Sequence, residues 1–381
     1  MRILHTSDWH LGRAFHRVDL LGAQARFLDH LVETIRAEKV DVLIVAGDVY
    51  DRALPPVDAV RLLDEALDRL VDTGAQVLMS SGNHDSAQRL GFGSLRNAKA
   101  GLHLRAHVAG LDKPLLLEDS SGPVALYALP YLEPAMVCDE LGTSRTHHEV
   151  LAAAMGRVRA DLAGRPKGTR SVVAAHAFVT GAAPSQSERD IRVGGLDSAP
   201  RSTFAGMDYV ALGHLHGPQR LTETMRYSGS PLPYSFSEAG HVKSSWLVEL
   251  GAAGVCAVQA VPAPVHRRLA RFRGRLDELL SDPALMHAQA AFCQVTLTDA
   301  ERPREPMERL RARFPHTLSL SFEPEGGHAL PKGYAERVAG LSDEELCCAF
   351  LSDVRGHSES QQERSLLVSA LETGRLAEAS A

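Results

Sequence analysis

Residues 40–48 read VDVLIVAGD, an almost continuous apolar run that ends in a glycine and an aspartate. A run that is apolar throughout, rather than alternating, indicates a β-strand with both faces covered. Apolar residues at helical spacing precede it in Ala23–Ala37, and Pro55-Pro56 opens a second predicted helix that continues to Val71. These alternating elements predict an α/β fold, with Asp48 in a sharp turn at the carboxyl end of a buried strand.

The same arrangement, a short apolar strand followed by polar side chains, occurs four more times. The motifs are Asp8-Trp9-His10 after Ile3–Thr6, Gly82-Asn83-His84-Asp85 after Val77–Ser80, His176 after Ser171–Ala175, and Gly213-His214-Leu215-His216 after Tyr209–Leu212. Open α/β folds bind ligands at the carboxyl ends of their strands, so we expect these side chains to meet. On a strand, Asp8 and His10 would face the same way because they are two residues apart.

Besides His84 and Asp85, the five strand ends together offer two aspartates, an asparagine and four histidines. Mixed oxygen and nitrogen donors suit manganese, iron or zinc. Such a set is too large for one ion, whereas two ions bridged by a carboxylate would use all of it, and that arrangement cleaves phosphate esters. Each motif alone has an ordinary explanation, such as a turn aspartate or a core histidine. Five of them in one alternating chain indicate a shared site.

The rest of the first 260 residues continues the predicted sandwich. A further strand is predicted at Val124–Leu129 and a helix at Glu149–Leu162. Antiparallel strands are predicted after Gly217, at Met225–Ser228, Trp246–Leu250 and Val255–Val261. We therefore predict one α/β domain over residues 1–260.

Two smaller units are predicted after Pro262-Ala263-Pro264, which reads as a linker. Residues 263–325 contain a predicted helix and a β-α-β unit, at Leu276–Leu280, Phe292–Leu297, Pro306–Arg313 and Thr317–Phe322. A second linker, Glu323–Gly333, precedes residues 334–375, where two amphipathic helices are predicted at Asp343–Asp353 and Glu359–Thr373. Because this pair is too small to bury its apolar faces alone, it packs either into a partner's groove or onto its own domain.

Composition and charge exclude some classes of protein. The net charge of −6 argues against a free-standing nucleic-acid binder, although residues 265–315 hold ten arginines against seven acidic residues. Five cysteines without a CxxC pair fit a reduced, cytosolic protein. No apolar run approaches the roughly 20 residues that cross a bilayer. The chain runs directly into a strand at its start, so we expect no signal peptide.

The five motifs, in this order, resemble the calcineurin-like metallophosphoesterase family over about residues 1–235. The resemblance implies a four-layer α/β/β/α sandwich, which here would carry a small α+β cap domain and a C-terminal helical pair. It also implies two divalent metal ions. One would be bound by Asp8, His10 and His216, the other by Asn83, His176 and His214, with Asp48 between them. His84 is then not a ligand, because in this family that histidine faces the scissile phosphate and protonates the leaving oxygen or stabilises charge.

Residues 1–12, 46–51, 189–197 and 227–231 further resemble the bacterial SbcD branch of nuclease subunits. This implies a metal-dependent DNA nuclease, an ATP-regulated exonuclease on duplex DNA that also cuts single strands and hairpins, acting with an SbcC-type ATPase in DNA repair and recombination. It also implies Mn2+ as the metal, a homodimer within a heterotetramer, and a cytoplasmic location. The cap would face DNA, and the C-terminal helices would grip the ATPase's coiled coil.

Two aspartates beside the predicted ligands need separate explanations. Asp51 stands three residues after Asp48, where archaeal and eukaryotic relatives carry a histidine and bacterial members also carry aspartate. The alternative is that Asp51 is a helix N-cap or a turn residue before Pro55-Pro56. Asp85 is expected to orient a neighbouring group rather than to bind metal.

Two groups of arginines are candidates for contacts with DNA phosphates. Near the site these are Arg13, Arg52 and Arg89. In the predicted cap they are Arg267, Arg268, Arg271, Arg273 and Arg275. The alternative for each is a solvated basic face or an ion pair. No DNA-reading motif occurs, so sequence-specific binding is not expected.

Two other functions fit the same motifs. One is a small-molecule phosphoesterase, which has no evident need for the units after residue 260. The other is a DNA-tethering subunit with an inactive site, which the complete set of expected ligands argues against. Helices near 56–72 and 88–98 are candidate surfaces for pairing two copies of the chain.

Overall fold

The run at residues 40–48 forms the buried strand Val42–Ala46, which lies between two parallel neighbours. The structure is a computed structural model that describes residues 1–188, 198–325, 340–355 and 358–380. The strand is buried throughout because alternate side chains face different layers. Ile44 packs between two sheets, whereas Leu43 and Val45 pack under helices. This explains why the run does not alternate with polar residues.

The described elements alternate through the first half of the chain. The strands are β1 (Arg2–Thr6), β2 (Ala14–Phe15), β3 (Val18–Asp19), β4 (Val42–Ala46), β5 (Gln76–Ser80), β6 (Leu102–Arg105), β7 (Leu115–Asp119), β8 (Gly122–Leu129), β9 (Arg170–His176), β10 (Tyr209–Gly213), β11 (Gln219–Arg220), β12 (Met225–Tyr227), β13 (Ser244–Gly251), β14 (Gly254–Pro262), β15 (Leu269–Gly274), β16 (Phe292–Leu297) and β17 (Thr317–Phe322). The helices are α1 (Leu21–Glu38), α2 (Val57–Val71), α3 (Ala87–Leu90), α4 (Ser94–Asn97), α5 (Pro134–Leu141), α6 (His147–Ala163), α7 (Leu276–Ser281), α8 (Pro306–Arg313), α9 (Asp343–Arg355) and α10 (Gln361–Ser380).

Two six-stranded sheets pack face to face. Their strand orders are β14-β13-β1-β4-β5-β6 and β11-β12-β10-β9-β8-β7. The prediction of antiparallel strands is confirmed for β13 and β14, which form a hairpin beside β1. It is confirmed only in part for β12, which is antiparallel to β11 but parallel to β10. The strands β6 and β7 at the sheet edges were not predicted.

Helices cover the outer face of each sheet. Helices α1 and α2 pack on the first sheet, through residues such as Phe27, Leu31 and Leu63. Helix α6 packs on the second sheet through Leu151 and Met155. The layers therefore follow the order α/β/β/α, and the predicted fold class is confirmed.

A smaller unit with its own core follows β14. Parallel strands β15, β16 and β17 form its sheet, and α7 and α8 pack against it. Strand β15 was missed because its sequence, Leu269–Gly274, alternates with arginines and was interpreted as a basic stretch. The predicted linker is less exposed than expected, since β14 reaches Pro262 and Ala263 is buried. The domain limits themselves stay a prediction.

The C-terminal helices α9 and α10 pack against each other, and α10 also contacts α3 and α5. Their outer faces nevertheless expose Phe350, Val354 and Leu366. The predicted turn near Gly356 and most of the second predicted linker lie outside the described residues. Among the helices that the structure describes, none is long and apolar enough to cross a membrane.

Candidate metal centre

The five predicted strand-end motifs meet between the two sheets. They follow β1, β4 and β5 of the first sheet, and β9 and β10 of the second, so that the carboxyl ends of both sheets open onto one site. The predicted ligands Asp8, His10, Asp48, His176, His214 and His216 are buried, and Asn83 and His84 are partly buried. The structure thus brings together every predicted metal-site residue.

The backbone at several of these residues is strained. Asp8, His10, Asp48 and His214 have φ values of 53°, 46°, 51° and 104°, and they make up half of the non-glycine residues with positive φ in the described chain. Such conformations cost about 1–3 kcal/mol each and persist only where the surroundings enforce them. Here the N–H of Asp8 donates to Gly47 O and that of His10 to Asp48 O. Asp8 and His10 therefore lie in a loop after β1, and the expectation that both face one way on a strand is wrong.

Asp48 lies at the centre of the cluster. Its Oδ2 is 3.5 Å from His10 Nε2 and 3.5 Å from His176 Nε2. Asn83 Oδ1 is 2.9 Å from His176 Nε2 and 3.3 Å from His214 Nδ1. One carboxylate oxygen of Asp48 therefore lies at the same distance from one histidine of each predicted ligand set. The assignment of ligands to individual ions stays a prediction.

The donor atoms fit divalent cations. His176 Nδ1 lies 3.0 Å from Ala46 O, so it carries the proton and its Nε2 lone pair faces the site. His10 Nε2 and His216 Nε2 are 3.0 Å apart, and together with Asp8 they form a group able to hold an ion. Asn83 Nδ2 has no hydrogen-bond partner among the described residues, while its Oδ1 faces the histidines. Nitrogen and oxygen donors of this kind suit borderline metals such as manganese or zinc.

Burial and neighbouring charges set the protonation of these groups. Burial, and then the nearby Asp48 carboxylate, raise the pKa of Asp8 well above its ordinary value. Burial would also raise the pKa of Asp48, but the neighbouring His176 and His84 lower it overall. Burial, followed by the charges of His84 and His216, lowers the pKa of His10 well below its ordinary value. Burial also lowers the pKa of His176, His214 and His216, which favours the neutral imidazole that binds metal.

Asp85 forms hydrogen bonds to both the loop after β4 and the loop after β5, which carry Asp48 and Asn83. Its carboxylate accepts hydrogen bonds from the N–H groups of Val49, Tyr50 and Gly82, at 3.0, 2.8 and 2.9 Å. Burial and the charge of Asp48 raise its pKa to about 7, against the effect of these hydrogen bonds. A Cβ added at Gly82 would lie 2.0 Å from Asp48 Oδ1, so only glycine allows the two loops to approach this closely. Asp85 therefore positions the loops that carry Asp48 and Asn83.

His84 lies at the edge of the cluster. Its N–H donates to Asp48 Oδ1 at 2.9 Å, and its Nδ1 is 2.7 Å from Asp51 O. The ring is partly exposed and contacts His10 edge-on, with centroids 4.8 Å apart. Since a donor nitrogen of His84 is within 4.8 Å of donors in His10 and Asp48, distance alone also admits it as a ligand. Its role as an acid rather than a ligand stays a prediction.

Asp51 faces the site rather than a helix. Its carboxylate is 3.6 Å from His10 Nδ1 and 3.7 Å from Arg13 Nε. Helix α2 has Pro56 at its N-cap and no side-chain cap, so the N-cap explanation for Asp51 is wrong.

The three arginines predicted near the site differ in their surroundings. Arg13 is largely immobilised, since it donates to Ser187 O at 2.9 Å and lies over the Tyr234 ring at 4.9 Å. Arg52 is exposed, and Arg89 donates to Ala53 O at 3.2 Å from an exposed position. Arg52 and Arg89 are therefore more accessible from solvent than Arg13, and their contact with DNA stays a prediction.

Sequence reasoning missed the residues that support the ligand loops. Gln24 donates to His10 O at 2.7 Å and accepts from Gly12 N at 3.0 Å, which holds the loop after β1. Ser187, Glu238 and Lys243 surround His216. Burial raises the pKa of Glu238, but the nearby His216, 3.8 Å away, and the charge of Lys243 lower it overall. No local spacing connects these residues to the motifs.

Comparisons with known proteins match two parts of the chain to known families. Residues 1–218 match the family described as calcineurin-like phosphoesterase, and residues 265–355 match the type 5 capsule protein repressor C-terminal domain, SbcD_C. The SbcD component of the nuclease SbcCD from Staphylococcus saprophyticus is 28% identical over 98% of this chain and 100% of its own length. The segment 189–197, which supported the resemblance in the sequence, lies outside the described residues.

Two solved structures are also similar. A dimetal phosphatase from Danio rerio is 15% identical, with a TM-score of 0.39 over 69% of this chain and 99% of its own. A protein from Thermus thermophilus is 12% identical, with a TM-score of 0.39 over 68% of this chain and 98% of its own.

Proposed function

The chain belongs to the calcineurin-like phosphoesterase family, and from that membership we propose that it is the DNA nuclease subunit of a complex with an SbcC-type ATPase. It is a metal-dependent phosphodiester hydrolase. The observation that carries the more specific proposal is the extent of the similarity. It covers 98% of the chain, well beyond the metal centre and through the unit of β15–β17. A phosphoesterase for small molecules has no evident use for that unit or for the C-terminal helices.

The residues of the centre suit hydrolysis of a phosphodiester. When bound, divalent ions supply Lewis acidity to a phosphate oxygen and make water more acidic. Seven side chains would hold them: Asp8, His10, Asp48, Asn83, His176, His214 and His216. His84 stands outside this set with Nδ1–H donated to Asp51 O, so its imidazolium form would carry on Nε2 the proton that passes to the leaving oxygen. The hydrogen bond to Asp48 Oδ1 fixes the backbone of His84 for this task.

Arginines on β15 support contact with DNA. Alternate residues of this edge strand put Arg271 and Arg273 on the face opposite Phe272, which packs into the core of the unit. Arg268 and Arg275 are also exposed, whereas Arg267 lies over the Phe292 ring and Arg273 pairs with Glu323. Arg268, Arg271 and Arg275 are therefore the cap residues that we propose for phosphate contacts.

Exposed apolar side chains support the proposed assembly. Phe350, Val354 and Leu366 on α9 and α10 suit the groove of a coiled coil, and we assign this surface to the ATPase. Phe92, between α3 and α4, and Leu95, within α4, are almost fully exposed and suit contact with a second copy of the chain. We propose a homodimer within a heterotetramer that uses Mn2+. In the cytoplasm it acts in DNA repair and recombination as an ATP-regulated duplex exonuclease and as an endonuclease on single strands and hairpins.

One assay separates this proposal from its alternatives. The purified chain is incubated with Mn2+ and linear duplex, hairpin or single-stranded DNA, with and without the ATPase and ATP. A small chromogenic phosphodiester serves as the competing substrate. We expect DNA cleavage that EDTA abolishes and that ATP and the partner stimulate on duplex ends. Hydrolysis of the small ester alone would support a small-molecule enzyme, and no hydrolysis at all would support a tethering subunit.

A further inference from the structure

His216 is held at three points by residues outside the five motifs. Its N–H donates to Glu188 Oε1 at 2.8 Å, and its carbonyl oxygen accepts from Lys243 Nζ at 2.7 Å. Its Nδ1 lies 2.6 Å from Ser187 Oγ. The opposite ring nitrogen, Nε2, faces His10 and the other predicted metal ligands. The side chain and the backbone of this one ligand are thus both fixed.

The hydrogen bonds determine which ring nitrogen carries the proton. Ser187 Oγ is 2.5 Å from Glu238 Oε1, and a carboxylate can only accept, so the single hydroxyl hydrogen of Ser187 points to Glu238. Ser187 Oγ must then accept from His216, which places the proton on Nδ1. The lone pair is left on Nε2, the atom that faces the site. This is the tautomer that a metal ligand bound through Nε2 requires.

Glu238, which accepts the hydrogen bond from Ser187, forms a buried ion pair with Lys243. Glu238 is 1% exposed and Lys243 is 9% exposed, and the Lys243 ammonium contacts Glu238 Oε2 directly. Lys243 also donates to Ser230 Oγ at 2.9 Å, so all three of its identified acceptors lie within the fold. Glu238 ends a short turn, Phe236–Glu238, and Lys243 directly precedes β13. Lys243 therefore contacts the backbone of His216, and Glu238 is linked to the His216 ring through Ser187.

We propose that Ser187, Glu238 and Lys243 act as positioning residues that hold His216 in the Nδ1–H tautomer and thereby set the affinity of the centre for a divalent cation. The inference rests on the proposed function only in taking His216 as a metal ligand. A purely structural ion pair would make a different prediction, because its loss would lower the stability of the fold without a selective effect on metal binding.

Ser187→Ala is the sharpest test, since it removes only the hydroxyl and leaves the ion pair intact. The affinity for Mn2+ alone is measured by calorimetry on the full chain, together with the unfolding temperature of the metal-free protein. We expect about tenfold weaker binding, or more, at one of two ions, as outer contacts of ligands commonly show. The unfolding temperature of the metal-free variant should change by less than about 3 °C.

Two matched variants act as controls. Ser187→Thr keeps a hydroxyl and should restore most of the Mn2+ affinity. Ser237→Ala removes a hydroxyl that contacts Ser235 and Gln186, one residue before Glu238, and should bind Mn2+ as the unmodified chain does. Equal Mn2+ affinity in Ser187→Ala and the unmodified chain would overturn the inference, as would equal weakening in Ser187→Ala and Ser237→Ala.

Nitrogen NMR of the imidazole groups reads the tautomer directly. The metal-free unmodified chain should show His216 protonated at Nδ1, and Ser187→Ala should show a mixture of tautomers. An unchanged tautomer in Ser187→Ala would contradict the role of the hydroxyl. Neither readout depends on cleavage. If the chain binds Mn2+ but cuts no DNA, the proposed function fails and the inference about His216 stands.

Discussion

Asp48 Oδ1 accepts a 2.9 Å hydrogen bond from the backbone N–H of His84, which joins the central carboxylate of the metal cluster to the predicted acid. The other carboxylate oxygen of Asp48 is 3.5 Å from a histidine of each ligand set. The Asp48 side chain therefore contacts ligands of both proposed ions and also the backbone of His84. Changes at Asp48 should affect both metal binding and the position of His84, whereas changes to the His84 ring should affect only the proton transfer.

Asp48→Ala should reduce the metal content of the protein. Removal of the carboxylate takes a donor from both proposed ions, so fewer than two equivalents of Mn2+ should bind, and DNA cleavage should be lost. Metal content after gel filtration gives the measurement. Asp112→Ala, which removes an exposed carboxylate from a turn, is the control and should bind as much Mn2+ as the unmodified chain. Two tightly bound ions in Asp48→Ala would show that Asp48 does not bridge.

His84→Gln should separate binding from catalysis. The glutamine keeps the backbone N–H that Asp48 accepts, but it cannot donate a proton as an acid. Single-turnover cleavage of DNA should slow by roughly 10²- to 10⁴-fold, the usual contribution of general acid catalysis. Mn2+ binding should remain at two equivalents. A loss of one equivalent would instead identify His84 as a ligand, and near-normal cleavage would exclude its role as an acid.

Local pattern was sufficient to predict that these side chains lie together, because each motif directly follows an apolar strand. Val42–Ala46 and Gly47-Asp48 illustrate this, since both the buried strand and the donor can be read within nine residues. The same holds for the layers of the fold, because a continuous apolar run such as Val42–Ala46 requires cover on both faces. The left-handed backbone of Asp8 and His10 had no such signal, as neither is a glycine.

Contacts that depend on tertiary structure were not predictable from spacing. Ser187 is 29 residues from His216 in the sequence, and Glu238 is 51 residues from Ser187. Nothing in their local sequence distinguishes them from other serines and glutamates. The direction of β12 depends likewise on its pairing with β10, and the strand character of β15 is masked by arginines on its exposed face.

Gly82→Ala should damage the centre without removing any donor. The new Cβ would meet Asp48 Oδ1 at 2.0 Å and Asp48 N at 2.3 Å, so the loop after β4 must move. We expect weaker Mn2+ binding and a loss of about 1–3 kcal/mol in the free energy of unfolding, as for other overpacked sites. In Gly156→Ala the Cβ would point from helix α6 into open space. That control should bind Mn2+ normally and be more stable by about 0.4–1 kcal/mol.

Asp119 should make stability depend on pH. Hydrogen bonds from the buried Arg170 hold the pKa of Asp119 below its usual range. Because the folded pKa is depressed, the stabilisation is present above the unfolded pKa and is lost as pH falls through the folded one. Asp119→Asn should lower the free energy of unfolding by about 2 kcal/mol at neutral pH, and by less at about pH 3. Glu118→Gln, an exposed neighbour on β7, should show neither effect in urea titrations at the two pH values.

The exposed arginines of β15 and its flank should govern how DNA binding depends on salt. Arg271 projects from the outer face of β15, and Arg275 is exposed at the start of α7. If both contact phosphates, the double variant Arg271→Ala, Arg275→Ala should bind duplex DNA more weakly, and the slope of log affinity against log salt should lose roughly 0.9 per contact. The effect should be equal for unrelated DNA sequences, because phosphate contacts carry no base information.

Arg36→Ala is the matched control, since Arg36 lies in the last turn of α1, at the end of the sheet opposite the metal centre. The slope is measured by fluorescence anisotropy between low and physiological salt. An unchanged slope in the double variant would show that these arginines do not contact DNA phosphates.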